Sequence, residues 1–128
     1  MRMLTVSLAM LVVVNTGPSI AEMYGEEYQS CSRGSTIDIV ECLGARTKAW
    51  DAELTAEFNA VATRVDPRQR DSLRTAQRLW VQYRAENCRF YGSREGSMRQ
   101  IEAAECLRSM TKARADELKL LGTSAGSN

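Results

Sequence analysis

The dipeptide Asp66-Pro67 interrupts a helical spacing of apolar residues that otherwise runs from about residue 36 to residue 92. Proline lacks the amide hydrogen a helix interior needs, and it pushes the preceding residue out of the α region, so one long helix is excluded. The same pair opens a second helix. Asp66 can cap it, Pro67 suits its first position, and Gln69 completes a reciprocal capping box. Two helices joined by a tight turn must run roughly antiparallel.

Ser35 and Asp38 supply another capping box at the start of the first helix. Its apolar positions, Leu43, Trp50, Leu54, Phe58, Val61 and Val65, are separated by threes, fours and one seven, and so share a face. Leu73, Ala76, Trp80, Tyr83 and Phe90 are the expected inward stripe of the second helix, with Gly92 ending it in a left-handed conformation. Ser97 to Gln100 reads as a third box. The third helix then runs from about Met98 to Leu121, carrying Ile101, Ala104, Leu107, Leu118 and Leu121 inward, and Gly122 is expected to stop it. Thr111 and Arg114 occupy inward steps of the same spacing.

The expected fold is all-α, an antiparallel three-helix array with a disulfide-tethered N-terminal segment. At about 30 residues the first helix spans about 45 Å and overhangs the other two. The segment from Tyr24 to Cys31, read as extended or loosely helical, can cover the overhang. The divisions expected are a signal peptide at 1–21, an N-terminal segment at 22–34, a helical domain at 35–122 and a flexible tail at 123–128.

Arg2, the apolar stretch Met3 to Val14 and the small-x-small site Ser19-Ile20-Ala21 read as a secretory signal cleaved after Ala21. The apolar stretch is shorter than the roughly 20 residues a membrane span needs, and no lipidation cysteine follows it. The expected location is therefore periplasmic or secreted, with no stable membrane anchor. Behind such a signal, the even count of Cys31, Cys42, Cys88 and Cys106 favours two disulfides. Zinc, the rival reading, prefers closely spaced ligand pairs that this chain lacks. Of three connectivities, Cys31 with Cys42 and Cys88 with Cys106 is the expected one: chain reach suits the first pair, whereas in the second the helical offsets differ by about 7 Å, so the third helix must slide or the loop must tilt.

Without residues 1–21 the chain is formally neutral, with the acidic groups concentrated before Asp66 and the basic ones on the second helix. Arg70, Arg74 and Arg78 line one helix face. They suit either an anionic surface or solvated intramolecular pairs, the second being the expectation in a neutral chain. Nucleic acid is not an expected partner, because no stacking aromatics alternate with these arginines. Histidine is absent, which removes the commonest general base and the commonest metal ligand. The cysteines are committed to bridges, and carboxylate pairs such as Glu53 and Glu57 suit a solvated helix face better than a catalytic cleft. The chain is thus not expected to be an enzyme, and no cofactor or metal is expected.

Cys31, Thr36 and Cys42, then Trp50-Asp51 with Leu54, then Ala76-Gln77, Trp80, Tyr83-Arg84 and Cys88, then Gly96-Ser97, Cys106, Thr111, Arg114 and Leu118 form an ordered set. In that order and spacing the chain resembles the lysozyme inhibitor LprI-like family of small secreted or lipid-anchored bacterial proteins. Thr55 stands where that pattern has asparagine. The resemblance implies a binding protein that inhibits lysozyme by blocking its substrate cleft, with a c-type lysozyme as the protein partner. The alternative is a disulfide-stapled envelope module that binds another protein and has no lysozyme activity.

Asp51, Gln77, Arg84, Thr111 and Arg114 lie on or beside the helix seams. They form either a recognition site or a polar network fixing helix register, the latter being expected because buried arginine is seldom unpaired. Trp50 and Trp80 are expected in the core. The partner-binding candidates are Glu22, Glu26 and Glu27 as an acidic approach surface, with Tyr91, Ser93 and Arg94 on the loop between the last two helices.

Overall fold

A computed structural model describes residues 22–125 and contains four helices: α1 (Glu26–Cys31), α2 (Thr36–Arg64), α3 (Pro67–Gly92) and α4 (Arg99–Ala125). The expected signal segment and the last three residues lie outside the described part. The two internal helix starts follow their local chemistry. Ser35 Oγ accepts the Asp38 N–H while the Asp38 carboxylate accepts the Ser35 N–H, and Asp66 and Gln69 make the same exchange before Pro67. Hydrogen bonds from the Ser35 hydroxyl and N–H hold the Asp38 carboxyl below its ordinary pKa.

α4 is the middle of the molecule. It packs along both α2 and α3, whereas α2 and α3 barely touch beyond their turn. α3 runs antiparallel to the other two, which leaves α2 and α4 parallel. Ile101 packs near Leu43 at one end, Leu54 meets Ala115 and Leu118 in the middle, and Arg64 donates to the Gly122 carbonyl at the other end. Leu43 and Leu118 are fully buried.

The structure bonds Cys31 to Cys42 and Cys88 to Cys106, with Cα separations of 5.5 and 5.4 Å. The first bridge fastens α1 onto the start of α2, and Tyr28 packs with Cys31, Ile39 and Leu43. The segment expected to be extended or loosely helical therefore contains a short helix that covers the start of α2. The second bridge joins the end of α3 to α4. Each closed loop contributes about 3 kcal/mol in the chain-entropy account.

Several local expectations give way to packing. Gly92 ends α3 with Ser93 in a right-handed conformation, and in this loop the positive φ, +104°, falls on Gly96. Gly122 does not stop α4. It is buried beneath Val61 and Arg64, and this contact with α2 outweighs the roughly 1 kcal/mol by which glycine disfavours a helix, so the helix continues to Ala125. α4 begins at Arg99, and no hydrogen bond joins Ser97 to Gln100 among the described residues. Tyr83 and Phe90 are 61% and 62% exposed rather than inward, and Ala76 is exposed too. Beyond the turn and the Arg84–Asp51 pair, α3 packs on α4 alone, so its contact stripe is narrow: Leu73, Gln77, Trp80, Arg84 and Cys88 face α4.

Leu118→Ala is expected to cost about 3 kcal/mol, as for a fully buried leucine, while Phe90→Ala changes stability by less than about 1 kcal/mol. Denaturant midpoints of the oxidised protein measure both. Because Asp38 has a lowered folded pKa, its capping contribution is complete above the unfolded carboxylate pKa of about 4 and is lost as pH falls through the folded value. Stability of Asp38→Asn should accordingly fall less steeply in acid than that of the native protein, as read by melting temperature against pH.

Candidate functional site

The first turns of α4 carry a charged cluster at the centre of the fold. Glu105 and Arg108 are 0% and 2% exposed. The Arg108 guanidinium grips Glu105 with two parallel bonds of 2.7 Å, reaches Glu27 of α1 at 2.7 Å and donates to the Glu22 carbonyl at 3.0 Å. Glu105 also accepts the Tyr24 N–H at 2.9 Å, and Glu27 accepts the indole N–H of Trp50 at 2.9 Å. The hydrogen bonds to Glu105 hold the Arg108 pKa above its ordinary value against the opposing effect of burial. Planar, charge-assisted pairing of this kind is the strong form of the interaction. Among the described residues no buried side-chain polar atom lacks a hydrogen bond.

Glu27, expected on an acidic approach surface, is therefore an internal ligand of Arg108 and Trp50. Glu22 and Glu26 are exposed. Glu105 and Arg108 are not among the residues singled out from the sequence, although both stand at inward helical steps from Ile101, the spacing that marks Thr111 and Arg114.

The five polar seam residues separate into two groups. Arg84 bonds Asp51 and the Thr111 hydroxyl, each at 2.9 Å, linking all three long helices across the middle of α4. One turn away Arg114 donates to Gln77 at 3.0 Å and to Glu117 at 2.9 Å. The Asp51 side chain is 50% exposed. Thr55 bonds back to the Asp51 carbonyl on the exposed face of α2.

Tyr91, Ser93 and Arg94 lie at the same end of the molecule as the N-terminal segment. Met23 and Tyr91 both pack against the Cys88–Cys106 bridge. Burial, helped by the neighbouring Glu102 carboxylate, raises the Tyr24 pKa. Arg94 is 53% exposed and stands 3.6 Å from Glu102, while Ser93 bonds back to the Phe90 carbonyl. The basic face of α3 does not form the expected ion pairs among the described residues. Arg70 instead caps the end of α2 through the Ala62 and Val65 carbonyls, where the helix dipole favours a cation, and Arg78 bonds Thr75.

An open groove of about 1220 Å³ follows the outward face of α4 from the α1 end to Ser124. Trp50 and Arg46 of α2 form one wall and Trp80 and Tyr83 of α3 the other. Both tryptophans are half-buried, each with a cation over its ring: Lys112 at 5.0 Å from Trp50 and Arg84 at 4.7 Å from Trp80. No group of three or more acidic or cysteine side chains is placed to hold a metal among the described residues.

The sequence profile of the lysozyme inhibitor LprI family matches residues 28–118, from within α1 through most of α4. The chain belongs to that family. The matched span includes both bridges, the Arg84 and Arg114 groups and the Gly92–Gly96 loop of this LprI-family protein. An uncharacterized protein of Rhizobium meliloti strain 1021 is 30% identical over 106 residues, covering 71% of this chain and 76% of the relative. No solved structure matches. The family is one of inhibitors by description, and no helix among the described residues of this LprI member is long and apolar enough to cross a membrane.

Glu105→Gln should destabilise the protein by about 3 to 5 kcal/mol, because it leaves Arg108 buried with only part of its counter-charge. Asp51→Ala, at a half-exposed position, should cost about 1 kcal/mol. Thermal melts of the two oxidised variants distinguish these outcomes.

Proposed function

We propose that the protein, after removal of residues 1–21, acts in the periplasm or outside the cell as an inhibitor that blocks the substrate cleft of a c-type lysozyme. The observation that carries this reading is the family match over residues 28–118. The chemistry belongs to the target, whose catalytic carboxylates lie in a groove. A blocking protein needs a pre-ordered cation to meet them. Arg94 stands on a short loop held at both ends by α3 and α4 and braced by the Cys88–Cys106 bridge, so it loses little freedom on binding. Its pairing with Glu102 is long and half-exposed, and such a pair gives way at small cost. Tyr91 and Ser93 flank it, and Glu22 and Glu26 offer negative charge to the basic rim of the enzyme. Asp51, Gln77, Arg84, Thr111 and Arg114 serve the scaffold in this scheme.

Residues 22–128 with both bridges formed should slow lysis of peptidoglycan by a c-type lysozyme, and less so as salt rises. Arg94→Glu should weaken inhibition about tenfold or more, a loss of about 1.4 kcal/mol, without changing helix content. Absence of inhibition at tens of micromolar and low salt would instead favour an envelope protein-interaction module.

A further inference from the structure

Both tryptophans of the chain stand on the walls of one groove, and the loop carrying Arg94 does not line it. We propose that this groove is a binding site for a linear, uncharged glycan. The floor runs along α4 from Ser109 to Ser124, about 22 Å at the helical rise per residue, and the groove is partly open to solvent. A groove of that length, with a volume of about 1220 Å³, suits an oligomer better than a single compact molecule, for which pockets of about 300 to 1,000 Å³ are usual.

The lining chooses among linear ligands. Acidic and basic side chains contribute to it in nearly equal number, so neither a polyanion nor a polycation is favoured as a whole. An apolar helix laid in the groove would cover Lys112, Asp116 and Glu117 and take water from them without offering hydrogen bonds in return. A hydroxyl-rich chain supplies both donors and acceptors to those groups. Its sugar rings also present flat C–H faces, which suit the electron-rich faces of aromatic side chains. Tyr83 is 61% exposed in the groove, and the indole N–H of Trp80 has no hydrogen-bond partner among the described residues. The cations over the tryptophans fix the orientation of those rings before a ligand arrives. Leu120 and Leu121, 50% and 42% exposed at the far end, give apolar contact to the methyl of an N-acetylated sugar.

The chain has no other tryptophans, so its indole fluorescence reports on this groove alone. Titration of oxidised residues 22–128 with the β-1,4-linked tetramer of N-acetylglucosamine should give a saturable change in emission. Tyr83→Ala should weaken the affinity at least fivefold. Phe90→Ala, equally exposed but outside the groove, should leave it unchanged. Emission that stays constant up to millimolar tetramer overturns the proposal. So does tighter binding of a heparin tetrasaccharide than of the neutral tetramer, or an equal effect of the two variants. A concentration-dependent dimer that quenches the tryptophans without any response to the sugar likewise overturns it, in favour of a second copy as the occupant. The titration contains no lysozyme, so its failure is separate from failure of the inhibition reading.

Discussion

A guanidinium with almost no access to water must be surrounded by acceptors, and the ones that surround Arg108 come from three parts of the chain. Glu105 lies one turn earlier on α4, Glu27 comes from α1, and a backbone carbonyl comes from Glu22. The two carboxylates then recruit the Tyr24 N–H and the Trp50 indole, which fixes the N-terminal segment to α4 and one groove wall to α1. Tyr24 sits at a φ of +62°, a backbone conformation that costs a non-glycine residue about 1 to 2 kcal/mol. The hydrogen bond to Glu105 and the contacts of Tyr24 with Tyr28 offset that cost.

This arrangement explains how a helix with so much charge occupies the centre of the molecule. Buried ion pairs rarely stabilise a protein more than well-packed apolar groups would, but they tolerate few alternative geometries. Polar links to α4 repeat at successive levels: the buried Arg108 with Glu105 and Glu27, Arg84 of α3 with Thr111 and the half-exposed Asp51, and Arg114 with Gln77 and the exposed Glu117. Each level ties α4 to a different neighbour or pair of neighbours. A purely apolar seam between parallel α2 and α4 could slide by a turn. These pairs make such a slide expensive, and so keep the groove walls opposite each other.

The features legible in the sequence are those set by adjacent residues. Ser35 with Asp38 and Asp66-Pro67 with Gln69 place two helix starts through bonds made within four residues, whatever the rest of the chain does. The two bridges join cysteines that are successive along the chain, the first pair within easy reach and the second only with a shift of the last helix or its loop. What escaped the sequence depends on which helix lies in the middle. An apolar stripe marks one face of a helix, whereas α4 is covered on more than one, and α3 has so little to bury that Tyr83 and Phe90 remain outside. Gly122 reads as a stop signal in isolation and is overruled by Val61 and Arg64 of α2. The candidate site was legible to the same degree: Arg94 and its bracketing glycines stand out locally, but the groove between Trp50 and Trp80 requires knowing that α2 and α3 flank α4 and meet each other at little more than their turn and the Arg84–Asp51 pair.

The connectivity of the bridges bears on the order in which the chain acquires its covalent form. A polypeptide is made from its N-terminus, so Cys42 is the next thiol to emerge after Cys31, and Cys106 the next after Cys88. An oxidant acting on the growing chain thus meets each native pair in turn, provided the first has closed before the second begins. Pairing of nearest neighbours in time gives the final pattern directly, with no reshuffling of mismatched bonds. A chain oxidised in that order reaches its covalent form by bond formation alone, without the exchange of one disulfide for another.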